Sequence, residues 1–340
     1  AVEIAGSYRR RAETVGDLDL LVTCRPGTAV VDRLVAHPLV AAVTARGPTR
    51  AAVRLRSGLG VDLRVLAPES FGAGLYYFTG SKAHNIALRR RAVERGLKLN
   101  EYGIFRGTRR IAGRTERELL AALGLPWIPP ELREDRGEIA LAEAGKLPKL
   151  VRREDLRGDL QSHSTDSDGR DTLAAMAEAA EALGYEYLAV TDHTPAVRVA
   201  GGLDAAGFRR QRQRIDRLNA KLRRLTVLAG AEVDIRKDGS LDLDDRALAA
   251  LDVVLVSVHS HFDLAPREQT ARLVAALRHP HVQVWAHPTA RLIGRRAPMR
   301  FDGRTVVRAA VDLGVVLELD AQPERLDLND VAAHAAREAG

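Results

Sequence analysis

GSYRRRAETVGDLDLLV, residues 6–22, decides the reading of the first half of this chain. A short apolar run, AVEIA (1–5), leads into it, so a strand, a Gly-Ser turn and a basic segment follow one another. Asp17 and Asp19 then fall in a second strand-like run, GDLDLLV. On a strand, side chains at i and i+2 share a face, so the two carboxylates point the same way. Like charges this close repel unless a cation lies between them. Hard oxygen donors of this kind suit Mg²⁺ or Mn²⁺. The pair reads as half of a site for moving a phosphoryl or nucleotidyl group.

A two-metal site needs a further carboxylate, and Asp62 offers one. RAAVRLR (50–56) alternates as a strand does, Ser57-Gly58-Leu59-Gly60 suits a hairpin turn, and Val61–Leu66 forms the return strand. If that strand packs beside 17–22, three carboxylates meet on one small sheet, where two cations roughly 3.5–4 Å apart could clamp attacking and leaving oxygens. Ala29–Leu39 has helical apolar spacing and would cover one face. A lone Asp-x-Asp more often decorates an edge strand. The upstream Gly-Ser turn and the third acid are what favour a site.

The second half has a different signature. Eight of the ten histidines lie beyond residue 150. The blocks GDLQSHSTDSDG (158–169), LAVTDH (188–193), GAEVDI (230–235), VSVHSHF (256–262) and VWAHPT (284–289) are strand-like runs that carry or end in His, Asp or Glu. Helix-like stretches at Thr172–Leu183, Ala206–Leu225 and Arg267–Arg278 separate them. Strand, ligand, helix, repeated, predicts a βα barrel whose site lies at the carboxyl ends of the strands. Imidazole mixed with carboxylate suits Zn²⁺, Mn²⁺ or Fe.

GSYRRRAETVGDLDLLV, YYFTGSKAHNIALRRRAVERG (76–96) and LKLNEYGIF (97–105) together resemble the family X DNA polymerases, the group that includes polymerase beta. The resemblance implies a nucleotidyltransferase palm. In it Asp17 and Asp19 hold two Mg²⁺ or Mn²⁺ ions, and Asp62 binds the one that activates the primer 3′-hydroxyl. Ser7 and Arg10 match positions that hold the incoming triphosphate, with Gly6 in the turn and Gly16 contributing backbone. Tyr77 and Phe78 match residues against the nucleotide sugar, where bulk disfavours a 2′-hydroxyl. Gly80 allows close backbone approach, Asn85 faces the nascent base pair, and Arg89 lies near the template strand. Elementary chemistry agrees, because a turn opening a helix offers N–H groups to an anion and arginine forks onto phosphate oxygens.

The histidine blocks resemble the PHP domain (polymerase and histidinol phosphatase), a metal-dependent phosphoesterase module that follows the polymerase in bacterial family X enzymes and is associated with 3′–5′ exonuclease action. The resemblance implies Zn²⁺ or Mn²⁺ held by His163, Asp168, His193, Glu232, His259 and His287, with Asp192 orienting a ligand. Arg291 and Arg295 match a basic segment that touches substrate phosphate. His37, His261, His279, His281 and His334 match no motif position. Two departures bear on the activity: the family's first motif begins His-x-His and here reads Gln161-x-His163, and its last Asp-x-His is absent. An amide oxygen is a poor ligand beside imidazole, so the expectation is an impaired phosphoesterase site. The resemblance also implies an N-terminal DNA-end-binding region ahead of the palm, making this sequence the middle of a longer architecture.

The expected fold is thus multidomain, α/β and α+β. A palm occupies 1–67, a small α+β nucleotide-selection (thumb) subdomain 68–125, a linker 126–154 with a short helix near Glu138–Ala144, and a PHP-type distorted βα barrel 155–340. At 340 residues and 46% hydrophobic the chain can bury two cores, and its net charge of +7 suits a polyanionic partner. The single cysteine, Cys24, excludes an intrachain disulfide, and no apolar run approaches membrane-spanning length. The expected function is template-directed repair or gap-filling synthesis by a monomer in the cytoplasm, on the nucleoid. Its partners would be dNTPs and primer-template or gapped DNA, with no membrane partner. The alternatives are a nucleotidyltransferase acting on another substrate, which would lack the YFTGS-x-x-x-N run, and a non-catalytic DNA-binding scaffold with a degenerate PHP module.

Overall fold

The computed structural model describes residues 1–24 and 27–340 and divides into two compact units, Ala1–Leu150 and Val151–Gly340. The first unit opens with β1 (Val2–Ile4), a short helical turn α1 (Gly6–Arg9) and β2 (Asp17–Val22), followed by α2 (Gly27–Val35) and three strands, β3 (Val40–Gly47), β4 (Arg50–Leu55) and β5 (Gly60–Val65). These strands form one sheet in the order β1-β2-β5-β4-β3. The predicted hairpin joins β4 to β5, and β5 returns parallel to β2. Alternation fixes the faces: Leu20, Val22, Leu63 and Val65 pack with Val31 of α2, leaving Asp17, Asp19 and Asp62 on the opposite face. Strand β3 was not predicted. Its burial pattern shows little alternation between exposed and buried positions, so no period-2 signal marks it.

Next come α3 (Phe71–Thr79), α4 (Lys82–Glu94), a three-stranded antiparallel sheet of β6 (Lys98–Asn100), β7 (Gly103–Arg106) and β8 (Arg109–Ala112), then α5 (Glu116–Ala122) and α6 (Glu138–Glu143). Local chemistry sets the boundaries. Gly80, at φ +70°, ends α3 in a conformation that disfavours other residues. Ser81 caps α4 by accepting the His84 amide, and Thr115 with Glu118 forms a capping box on α5.

The predicted linker 126–154 is corrected over most of its length. Ile128, Leu132, Ile139, Ala142 and Leu147 pack onto a core built from Tyr76, Leu88, Ile104, Leu119 and Leu123. Many of the charges there, Asp135, Arg136, Lys146 and Lys149 among them, remain exposed, but Arg133 and Glu138 are buried and tie the segment down in two polar networks. The fully buried Arg133 donates to Glu116 at 2.8 Å and to the Ile128 carbonyl at 3.0 and 2.9 Å, and it stacks 3.9 Å from the Tyr76 ring centroid. Arg9 grips the same Glu116 carboxylate in a fork of 2.7 and 2.6 Å. His84 lies between Glu138, 2.5 Å from Nδ1, and the Tyr76 hydroxyl, 2.6 Å from Nε2. Burial alone would raise the Glu138 pKa, but the bonds from His84 and the Arg136 amide hold it below the usual carboxylate range. Glu138→Ala leaves His84 in the core with the Tyr76 hydroxyl but without its carboxylate partner. We expect it to destabilise this unit by about 3 kcal/mol in urea unfolding, the usual scale for breaking a buried pair.

The second unit alternates strands and helices: β9 (Gly158–Ser162), α7 (Leu173–Ala182), β10 (Tyr187–Val190), α8 (Ala205–Asn219), β11 (Thr226–Asp234), α9 (Asp245–Leu248), β12 (Val253–Ser257), α10 (Pro266–Leu277), β13 (Val284–Trp285), α11 (Gly303–Leu313), β14 (Val316–Leu317) and α12 (Asp330–Ala339). The six strands pair in parallel in sequence order, a curled sheet that forms a half-barrel. Thr172, Asp204, Asp244, Asp302 and Asn329 each cap the helix that follows. The predicted helix to Leu225 stops at Asn219, whose side chain both donates to and accepts from Val227 at 2.8 Å and turns the chain into β11. Because all strands run one way, their carboxyl ends share one rim, and the histidine blocks are drawn together there.

Candidate functional site

In the first unit, register brings the three acids together. Asp19 is the ladder partner of Asp62 in the parallel β2–β5 pair, and Asp17 lies two residues earlier on the same face. Burial, then the charges of Asp17 and Asp62, push the Asp19 carboxyl up to about 6, against partial relief from Arg64 and Arg10. Three acids on one face whose repulsion raises a pKa suit a divalent cation, although their oxygens are not among the groups that lie within 4.8 Å of one another. Gly6, at φ +63°, packs so close to the Asp19 carboxylate that any Cβ would collide with it.

Asp17 and Asp19, but not Asp62, border a cavity of about 510 Å³ lined by Gly6, Ser7, Arg10, Tyr77, Phe78, Gly80, Asn85 and Arg89, together with Ser81, Lys82 and Ile86. Its walls are interlocked. The Asn85 amide donates to the Tyr77 carbonyl at 2.7 Å, and the Arg89 guanidinium lies 5.1 Å from the Tyr77 ring centroid. Gly16 precedes β2 in open space and is not among the lining residues. Arg10 borders the cavity but spends Nε on Glu134 and Nη1 on the Thr79 carbonyl, at 2.6 and 2.5 Å. Two partners were missed from the sequence: Glu134, 124 residues away along the chain, and Arg64, 5.3 Å from the Phe78 ring centroid. Neither lies in a motif.

In the second unit one buried carboxylate organises four imidazoles. Glu232 Oε1 lies 3.3 Å from His259 Nε2 and 3.2 Å from His287 Nε2, and Oε2 lies 3.3 Å from His163 Nε2 and 3.5 Å from His193 Nδ1. His163 and His193 stack 4.5 Å apart. Burial would raise Glu232, but the surrounding histidines hold it far below the usual range. Burial, with His163 and His259 nearby, lowers His193. The neighbouring carboxylates of Asp234 and Glu232 overcome burial and push His259 up to about 9. The buried atoms His193 Nδ1, Glu232 Oε1 and both ring nitrogens of His287 have no hydrogen-bond partner. Orphaned donors and acceptors converging on one point are what a metal site looks like when only its ligands are present. His163–His193–Glu232 and Glu232–His259–His287 each bring their ligand atoms within 4.8 Å of one another, as do His287, Glu318 and Asp320.

Asp168 stands apart from these groups, 3.6 Å from His193 Nε2. The buried Asp192 orients no histidine through a side-chain bond. It accepts from Ser164 N and Oγ at 2.8 and 2.6 Å, and from Ser167 and Gln211 at 2.5 Å, and so pins the loop between His163 and Asp168. Arg291, expected at substrate phosphate, is buried with its guanidinium on the carbonyls of Arg325 and Leu326, whereas Arg295 is exposed. His37, His261, His279, His281 and His334 belong to none of the metal groups found among the described residues. No helix among the described residues is long and apolar enough to cross a membrane.

Three family profiles match: DNA polymerase beta palm over residues 1–58, DNA polymerase beta thumb over 74–134, and PHP domain over 159–289. The chain is 41% identical over 340 residues to the "DNA polymerase/3'-5' exonuclease PolX" of Bacillus subtilis (strain 168), covering 99% of this chain and 59% of that protein. A "Probable phosphatase" of Acetivibrio thermocellus is 33% identical over 153 residues, 44% of this chain and 58% of that one. DNA polymerase lambda of Arabidopsis thaliana is 29% identical over 162 residues, 38% of this chain and 31% of the plant protein. Among solved structures, the ternary P/T complex of Leishmania infantum polymerase beta matches 39% of this chain and 67% of its own, at 26% identity and TM-score 0.35.

Proposed function

Because this chain belongs to the bacterial family X DNA polymerases with palm, thumb and PHP domains, we propose that its first unit performs template-directed addition of dNTPs to a primer 3′-hydroxyl in repair or gap filling. The observation that carries this is the Asp19–Asp62 register with Asp17 beside it, and the cavity that Asp17 and Asp19 border together with Tyr77, Phe78 and Asn85. A pair of Mg²⁺ or Mn²⁺ ions held by Asp17, Asp19 and Asp62 would supply Lewis-acid neutralisation of charge at the transferred phosphoryl group. Ser7 and Arg10 would bind the triphosphate, Arg10 by exchanging Glu134 for phosphate oxygens. Asn85 and Arg89 would read the nascent pair and the template from a helix anchored through His84. The partners would be primer-template or gapped DNA, met in the cytoplasm.

The test is primer extension on gapped DNA with Mg²⁺ or Mn²⁺, comparing the intact chain with an Asp17→Ala, Asp19→Ala double variant. Equal incorporation by both would refute the assignment. A finer expectation concerns sugar choice. Tyr77→Ala opens the wall against which the sugar would lie, so ribonucleotide incorporation relative to deoxyribonucleotide should rise on the order of 10-fold, read from single-nucleotide kcat/KM ratios.

For the second unit the proposal is a divalent site, Zn²⁺ or Mn²⁺, built on Glu232 with His163, His193, His259 and His287 and bordered by Asp168. Metal there would supply the Lewis-acid charge for phosphoester cleavage at a DNA 3′ end. Gln161 lies two residues before His163, where the resemblance expects an imidazole, so this proposal rests on the four histidines and Glu232 alone. Elemental analysis, with release of 3′ nucleotides as readout, tests it.

A further inference from the structure

We propose that Asp234 and Glu318 are positioning residues that hold His259 and His287 with Nε2 free for metal, an inference that rests on the metal site proposed for the second unit. Asp234 engages both the backbone and the ring of His259, whereas Glu318 repeats the backbone bond at His287 with the ring nitrogen near it but not hydrogen-bonded. The His259 main-chain N–H donates to Asp234 Oδ1 at 2.9 Å, and Nδ1 of the same histidine lies 3.2 Å from the same oxygen. The His287 N–H donates to Glu318 Oε2 at 2.5 Å, and its Nδ1 lies 3.5 Å from that oxygen. Each carboxylate comes from a neighbouring strand: Asp234 ends β11 beside β12, and Glu318 follows β14 beside β13. Backbone and ring are thereby referred to one oxygen, and both Nε2 atoms face Glu232 Oε1, at 3.3 and 3.2 Å.

A neutral imidazole has one lone pair and one N–H. A carboxylate facing Nδ1 places the proton there and leaves the lone pair on Nε2, the arrangement by which ligating histidines are commonly oriented. This also settles how to read the grouping of His287 with Glu318 and Asp320. With Nε2 committed to the group containing Glu232 and His259, Nδ1 carries the proton and cannot ligate a further ion. Glu318 acts through His287 rather than on a cation. Asp234 and Glu318 lie in no motif block as ligands, and only the pairing of adjacent strands reveals them.

The experiment uses the full chain with Asp17→Ala and Asp19→Ala, so that metal uptake reports the histidine site. Zn²⁺ affinity is measured by chelator competition, and which ring nitrogen carries the proton and which faces the metal is read from ¹⁵N-histidine NMR of the Zn²⁺-loaded protein. Asp234→Ala and Glu318→Ala should each weaken Zn²⁺ binding about 10- to 100-fold and loosen the facing ring's preference for the proton on Nδ1 and the metal on Nε2. Asp234→Asn and Glu318→Gln keep an accepting oxygen. They should retain the Nδ1–H tautomer with intermediate affinity, and they serve where an alanine variant misfolds by circular dichroism. Wild-type affinity in folded alanine variants would overturn the inference, as would three ions in the parent with one lost in Glu318→Ala. A folded parent that takes up no Zn²⁺ would sink the metal-site reading itself, and this inference with it.

Discussion

Asp19→Asn is expected to reduce primer extension on gapped DNA by on the order of 10³-fold, about 4 kcal/mol of transition-state stabilisation. Asp19 is the central acid of the three: it follows Asp17 on one strand and pairs with Asp62 on the next. An amide keeps the shape and removes the charge that a cation would bridge. The variant should fold at least as well as the parent, because two like-charged neighbours and burial disfavour the ionised Asp19. The Asp19 carboxyl titrates at about 6 in the folded metal-free chain against an ordinary 3.8. Between those values the folded state retains a proton that the unfolded state has released, so metal-free stability falls as pH rises through this window. Melting temperature in chelator should therefore decline from about pH 4 to 6, more steeply in the parent than in Asp19→Asn. Added Mg²⁺ should restore stability in the parent alone. A variant that extends primers within threefold of the parent would remove Asp19 from the reaction.

Glu232→Gln should cost the second unit at least about 100-fold in Zn²⁺ or Mn²⁺ affinity, read as metal per chain after dialysis. Among the described residues, no other is shared by both histidine groups that could hold an ion at this site, His163 with His193 and His259 with His287. It is also the charge that balances the ring. With Glu232 ionised, His163 and His259 are stabilised in their protonated forms, and metal binding displaces those protons. Glutamine leaves the imidazoles facing one another without a counter-charge, so the metal-free variant should also melt at a lower temperature than the parent at neutral pH. Single histidine substitutions should cost less, because each removes one ligand from one group. Retention of stoichiometric metal by Glu232→Gln would show that the ions lie elsewhere.

Much of this was legible in the chain. Asp17 and Asp19 share a strand, and period-2 alternation places them on one face wherever that strand packs. The Ser57–Gly60 hairpin turn predicted where Asp62 returns. The five strand-like blocks, four of them carrying histidine, marked the parallel strands and the rim on which they end. Helix caps such as Thr115 and Asp204 are local features, each accepting from a backbone N–H three residues on.

Other features had no local signal. Pro126, Pro129, Pro130 and the charges after them read as a linker because Arg133 and Glu138 are usually solvated. Their burial depends on Glu116, Tyr76 and His84, 17 to 57 positions away in sequence but adjacent in the fold. Arg10 could be matched to phosphate from its motif, but not its bond to Glu134. Asp192 was expected to orient a ligand and instead fastens a loop through Ser164 and Ser167.

The chain's residue order alone specified which groups can do chemistry and on which strands they ride, since backbone periodicity and turn geometry are short-range properties. Folding alone decided what those groups touch. The convergence on Glu232, the clamps at Asp234 and Glu318, and the buried Arg133 arise from strand pairing and core packing, which join residues far apart along the chain and leave no periodic trace in it.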